Sequence, residues 1–160
     1  MRVQLYAVGR MKAGPERELA ARYLDRFAKA APQLGLEFGG VIEAPESRAR
    51  EADQRKREEA AKLAETIDPA TALILLDERG KSLSSADFAK MIAKHRDGGA
   101  RAMTFAIGGA DGHAEELRQR AQMVISFGVM TFPHQIMRIL AAEQLYRAAT
   151  ILSGHPYHRE

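Results

Sequence analysis

Cysteine is missing from all 160 residues, which removes disulfides, thiolate nucleophiles and cysteine-based zinc sites from consideration. No apolar run is long enough to span a bilayer. The opening MRVQLYAVGRMK passes straight into a strand pattern, without the apolar core and small-residue cleavage site of a secretory leader. The expected compartment is therefore the cytoplasm. An excess of one charge is lacking too: 24 Lys and Arg stand against 21 Asp and Glu, for a net charge of +3. That balance is compatible with a polyanionic partner without demanding one. Neither a G-x-G-x-x-G dinucleotide fingerprint, nor a G-x-x-x-x-G-K-[ST] phosphate loop, nor a G-x-S-x-G elbow is present, so NAD, ATP and serine-hydrolase chemistry lose support. No repeat, low-complexity tract or Gly/Pro/Ser linker interrupts the chain, and its length predicts a single domain over residues 1–160.

What is present alternates between two periods. VQLYAVG (3–9), LEFGGVIEA (36–44), TALILLD (71–77), ARAMTFAIGG (100–109) and MVISFG (123–128) have strand character. Between them, helical spacing runs over 15–30, over the charged stretch 47–67, and over 86–99, which Ser84 or Ser85 caps. A shorter helix is expected at 113–122, and Pro133 opens a last one. TALILLD is apolar on both faces, as a central parallel strand requires. The predicted class is α/β, a mostly parallel sheet flanked by helices. In READQRKREEAAK both signs alternate at close spacing, which marks a solvated helix face.

Ligands of open parallel sheets sit outside the carboxyl ends of the strands. Three expected loops lie there. DERGK (77–81) is either a solvated loop with local ion pairs or a site where Arg79 and Lys81 hold phosphates above Leu76 as a pocket floor, and its spacing favours neither. IGGADG carries Gly108, Gly109 and Gly112, which permit close backbone approach to a ligand, and Asp111. SFGVMTFPH follows the last strand. Of the five histidines, His155 and His158 lie three apart and His134 follows a proline; no third ligand accompanies them, and no metal is expected.

The terminal helix has Ile136, Met137, Ile139, Leu140, Leu145, Tyr146, Ile151 and Leu152 around most of its circumference. A helix apolar all round is buried on more than one side, and in so small a chain a homodimer packed through it is expected. Beyond it lies the tail GHPYHRE (154–160), richer in chemistry than a fraying end.

Taken together, LLDERGKSLSSADFA (75–89), FAIGGADG (105–112), MTFPHQIMRILAAEQLYRA (130–148) and the tail resemble the SPOUT-class methyltransferases. Specifically, they resemble the RlmH-type 23S rRNA pseudouridine N3-methyltransferases, and the resemblance runs the whole length. It implies an α/β domain whose C-terminal part is threaded into a deep trefoil knot, a rarity among folds. It also implies S-adenosylmethionine (SAM) as cofactor, held by Leu76, Gly109, Gly128, Val129, Met130, Thr131, Phe132 and Pro133. Family members usually carry Ser-Leu-Ser where this chain has Ser126, Phe127 and Gly128; the small residue is kept and a hydroxyl is lost.

The implied target is N3 of a pseudouridine in a stem-loop of 23S rRNA facing the decoding centre, presented by the assembled ribosome. That nitrogen is protonated at neutral pH, so transfer needs alignment, proton removal and stabilisation of charge on the flanking carbonyls. The tail is expected to supply these groups: His158 as base, because imidazole titrates near neutrality, Tyr157 to stack on or hydrogen-bond the base, and Arg159 to hold the developing charge or a phosphate. Arg138, His134 and Arg147 are expected as further substrate contacts. Two rivals stay open at this point: an enzyme of the same fold acting on tRNA, and a ribosome-associated binding protein without catalysis.

Overall fold

Alternate residues of the central strands divide between two cores. The structure, a computed structural model, describes residues 1–158; Arg159 lies outside the described residues. Five strands are β1 (Arg2–Val8), β2 (Glu37–Ala44), β3 (Ala72–Ser82), β4 (Ala102–Ile107) and β5 (Met123–Ser126). They form one parallel sheet in the order β2-β1-β4-β3-β5. Leu5, Ile74, Leu76, Phe105 and Ile107 face one side and pack on α1 (Pro15–Ala30), α3 (Ser85–Asp97) and α5 (His134–Ser153). Tyr6, Val8, Leu73, Leu75 and Ala106 face the other, under α2 (Ala52–Thr66) and α4 (Glu115–Arg120). Helices on both faces explain why TALILLD has no polar face.

Two boundaries differ from the sequence expectation. DERGK is not a loop beyond a strand but an excursion within β3, which pairs with Ile125 once through Leu76 and again through Lys81. The return is so tight that a Cβ on Gly80 would lie 2.5 Å from the carbonyl carbon of Ile125. Only glycine closes that approach. The charged helix starts at Ala52 rather than Ser47, because its own side chains take the backbone groups of the approach. Arg55 donates to the carbonyls of Ala49 and Arg50 at 3.0 and 2.7 Å, and Glu59 accepts from the Ser47 amide at 3.0 Å. Residues 47–50 therefore stay outside the helix.

The cap of α3 is as expected: Ser84 accepts from the Asp87 amide at 3.0 Å and donates to its carboxylate at 2.8 Å. For α5 the packing is instructive. Ala141, Ala142, Leu145, Ala148 and Ala149 are buried, and the helix lies across both α1 and α3. Much of its apolar circumference is thus used within the chain. What stays exposed at its N-terminal end is Ile136, together with Val129 and Met130 just before it, at 38, 93 and 71 %.

Candidate functional site

Parallel strands put all carboxyl ends on one edge, and there the ends of β3, β4 and β5 meet the start of α5. They enclose a cavity of about 640 Å³, within the range that takes a drug-sized ligand. Its floor is Leu76 and Ile107, one wall is the turn Gly108–Gly112, and the other is Ser126 to Phe132 with His134 and Met137. Six of the eight expected cofactor residues line it: Leu76, Gly109, Gly128, Met130, Thr131 and Phe132. Val129 and Pro133 do not; Val129 is 93 % exposed and Pro133 caps α5.

The glycine wall is shaped by what stands behind it. Gly109 pairs with Gly112 across the turn, and a Cβ on Gly109 would lie 2.5 Å from the Glu59 carboxylate. Nothing larger than glycine fits without moving that side chain. Burial pushes the Glu59 carboxyl above the usual range, even though the Ser47 amide favours its charge. Asp111 does not enter the cavity as a free acid. Arg55 grips it through Nε at 2.6 Å and Nη2 at 3.0 Å and holds its carboxyl below the usual range.

The opposite wall is fixed by short polar contacts. Ser126 Oγ donates to the Gly128 carbonyl at 2.7 Å and accepts from its amide at 3.1 Å, while Thr131 donates to Glu78 at 3.1 Å. Gly128 has φ of 140°, a conformation for which glycine is far better suited than serine. The departure from Ser-Leu-Ser is therefore accommodated by a loop that uses the glycine.

Beside Leu76, with Asp77 and Arg79 lining the cavity and Arg118 outside the lining, sits a charged cluster without a local sequence signal for all its members. Burial opposes ionisation of Asp77, but the Arg79 amide at 2.9 Å and Arg118 Nη1 at 2.6 Å outweigh it and hold the carboxyl below its usual range. The DERGK stretch drew attention to Asp77 and Arg79; Arg118, 41 residues on, gave no local signal. Arg79 is thereby tied to Asp77, with its Nε at 3.4 Å. His113, buried, meets the Leu76 carbonyl through Nε2 at 3.1 Å, and burial lowers its pKa. A carbonyl only accepts, so Nε2 carries the proton.

The other expected site residues fall in three places. His134 reaches the cavity. Arg138 does not: it is buried, paired with Glu43, and donates to the carbonyls of Val8 and Gly9. Its expected position at a substrate surface is corrected to one inside the fold. Arg147, Tyr157 and His158 come together on the far half of α5. Arg147 Nε donates to Glu143 at 2.9 Å and its guanidinium lies 5.0 Å from the Tyr157 ring centre. Tyr157 donates to Glu143 at 3.1 Å and packs 4.8 Å from Tyr146. Burial, with Tyr23 and Glu143 close by, raises the Tyr157 pKa. Arg147 Nη1 approaches His158 Nδ1 at 3.4 Å. Among the described residues, no helix is long and apolar enough to cross a membrane, and no cluster of three carboxylates or imidazoles is arranged for a metal.

Residues 1–158 match the sequence profile of a family described as "Predicted SPOUT methyltransferase". A relative from Brucella anthropi, named "Ribosomal RNA large subunit methyltransferase H", is 64% identical over 159 residues, covering 99% of each chain. One of the same name from Mesorhizobium japonicum is 59% identical over 159 residues, again covering 99% of both. Among solved structures, a "Probable Methyltransferase from Bordetella pertussis Tohama I" superposes with a TM-score of 0.50 at 17% identity, covering 92% of this chain and 93% of that one.

Proposed function

The chain belongs to the SPOUT methyltransferase family, and on that premise we propose that it transfers a methyl group from SAM to N3 of a pseudouridine in 23S rRNA of the ribosome. The observation that carries this reading is the convergence of three separated motifs on one cavity. Leu76, the Gly108–Gly112 turn, and Gly128, Met130, Thr131 and Phe132 all line it. The name shared by relatives about 60% identical over their full length supports the RNA substrate. The reading includes the deep C-terminal trefoil knot, and it places the enzyme in the cytoplasm, where ribosomes are.

The residues present fit SAM. The cavity has the right size, Leu76, Ile107, Phe132 and Met137 offer apolar surface for an adenine ring, and the glycine turn exposes backbone groups to a ribose. When bound, SAM supplies a methyl group already activated as a sulfonium. The chain's own work is to orient, to exclude water and to handle one proton. The Ser126–Gly128 and Thr131–Glu78 contacts hold one wall in place, and the Arg55–Asp111 pair holds the other. Both act before substrate arrives, as preorganisation requires.

The proton falls to the tail, with His158 as base and Arg159 as charge partner. Tyr157, whose raised pKa keeps it protonated, is suited to hydrogen-bonding or stacking rather than to accepting the proton. The tail's place on α5 bears on which cavity it serves. His134 lines the cavity, but His158 stands beside Arg147, 13 residues further along α5, or about 20 Å at helical rise. A tail docked there cannot occupy its own chain's cavity. The reading is therefore a homodimer in which each tail completes the partner's site, with exposed Val129, Met130 and Ile136 covered by the second copy.

The test is methyl transfer from labelled SAM to ribosomes lacking the modification, followed by mass analysis of the rRNA nucleosides. Methyl-pseudouridine in 23S rRNA is the expected product. SAM binding without transfer to ribosomes, but with transfer to tRNA, would replace the substrate and keep the cavity.

A further inference from the structure

We infer that the loops following β1 and β2 form a rail for RNA phosphates beside the cavity, carried by Arg10 and Lys12 on one loop and Arg48 and Arg50 on the other. This rests on the RNA-methyltransferase reading above. Placement comes first. Strand β1 is the neighbour of β4, and β2 lies beyond it, so these loops continue the edge that begins with the Gly108–Gly112 wall. They also touch each other, the Gly9 amide donating to the Ala44 carbonyl at 2.8 Å.

Availability comes second. All four side chains belong to exposed residues, and among the described residues none takes part in an ion pair. Their neighbours along the same edge are engaged: Arg55 with Asp111, Lys56 with Asp53, Arg79 and Arg118 with Asp77. Glu46 and Glu51 share the second loop, yet neither is bridged to Arg48 or Arg50. The whole chain is nearly charge-balanced, so attraction to a polyanion has to come from local groups left free, not from net charge.

Anchoring comes third. Both loops lack regular structure, but their backbones are held by buried or half-buried side chains from elsewhere. Arg138 takes the carbonyls of Val8 and Gly9, and Glu43 accepts from the Met11 amide at 2.9 Å. Arg55 takes the carbonyls of Ala49 and Arg50, and Glu59 the Ser47 amide. Arg55 and Glu59 also shape the glycine wall, through Asp111 and behind Gly109. The rail and the cavity wall therefore share their supports, and a backbone seated on the rail is registered against the cavity. Guanidinium groups on a fixed backbone suit phosphate oxygens, which they grip as a fork. Such contacts position the RNA without reading its sequence.

The test uses the whole chain, assembled ribosomes lacking the modification, and the combined variant Arg10→Gln, Lys12→Gln, Arg48→Gln, Arg50→Gln. SAM affinity and the thermal unfolding midpoint serve as controls for the cavity and the fold. The expected result is SAM affinity within about twofold of wild type, ribosome affinity at physiological salt lowered at least about tenfold, and a salt dependence of binding shallower by roughly three counterions. Unchanged ribosome affinity overturns the rail. So does a loss of affinity with the wild-type salt slope, because the four cations would then be meeting something other than phosphate. The reading on which the rail rests is scored separately, by whether the wild-type protein methylates the same ribosomes.

Discussion

Arg138 and Glu43, 95 residues apart in sequence, form an ion pair where the end of β2 meets the inner face of α5. The Arg138 side chain is 5% exposed, and its second terminal nitrogen serves the carbonyls of Val8, at 3.2 Å, and Gly9. Burial works against the Glu43 carboxylate, but the Met11 amide and Arg138 prevail and lower its pKa. One guanidinium thus ties α5, β1 and β2 together just behind the basic loops.

Removing it takes a donor from two buried carbonyls and leaves the Glu43 carboxylate only the Met11 amide. Arg138→Ala is expected to lower the free energy of unfolding by about 2–4 kcal/mol, toward the low end for a buried pair because Glu43 is partly solvated. Arg138→Lys restores charge but not the fork and recovers less than half of that loss. Urea unfolding at neutral pH measures both. A substrate-contact role predicts the opposite pattern, an unchanged midpoint with a raised KM for ribosomes.

Gly80 and Gly109 are two close approaches with different expected costs. A Cβ on Gly80 meets Ile125 backbone atoms at 2.5 to 2.8 Å, so Gly80→Ala must separate β3 from β5 and is expected to destabilise by about 1–3 kcal/mol. At Gly109 the obstacle is the movable end of Glu59. Gly109→Ala is expected to spare the fold while weakening SAM binding by about tenfold or more, as displaced Glu59 and a new methyl distort the wall. Calorimetric SAM titration beside a melting curve separates the two effects.

The fold class and the place of the cavity were legible in the sequence because they depend on local periodicity and on glycines at strand ends. TALILLD announced a strand covered on both faces, and of the residues the family resemblance implied, Leu76, Gly109, Gly128, Met130, Thr131 and Phe132 line the cavity while Val129 and Pro133 do not. What was not legible depends on partners far apart in the chain. Arg138 has the sequence environment of a surface arginine on a helix; only the carbonyls of Val8 and Gly9 turn it inward. Arg118 and Asp77 meet across 41 residues, and no periodicity signals such a pair. The all-round apolarity of α5 was read correctly as burial on several sides. It could not say how much of that burial α1 and α3 supply.

Acid should destabilise the protein in two stages. Burial lowers the His113 pKa from its ordinary value of 6.5, so between the two values the unfolded chain binds more protons than the folded one. Stability is then complete above 6.5 and falls as pH drops below it. Asp77, Asp111 and Glu43, all with lowered pKa values, add a second loss as pH falls through the carboxylate range. His113→Gln, which keeps a donor for the Leu76 carbonyl, is expected to flatten the first stage alone. Urea midpoints at about pH 7.5 and about pH 5.5 test this; an equal drop in wild type and variant would assign the first stage to another group.

The tail prediction is the most discriminating for mechanism. Tyr157 and His158 dock on Glu143 and Arg147 of their own helix, about 20 Å along α5 from the cavity, so on the proposed reading the tail serves a partner's cavity. His158→Ala is expected to bind SAM normally and lose turnover. Gly109→Ala, with its weakened SAM binding, is expected to lose turnover through the cavity when assayed at SAM well below its own Kd. Each homodimer is then inactive, but a mixed dimer holds one site made of an intact cavity and an intact tail. Equal mixing with subunit exchange should return about a quarter of wild-type activity, since half the dimers are mixed and each has one good site of two. If the tail served its own cavity, no mixed dimer would contain an intact site and mixing would return nothing. Activity of His158→Ala alone would instead remove that histidine from the proton step and leave Arg159 as the tail group to substitute next.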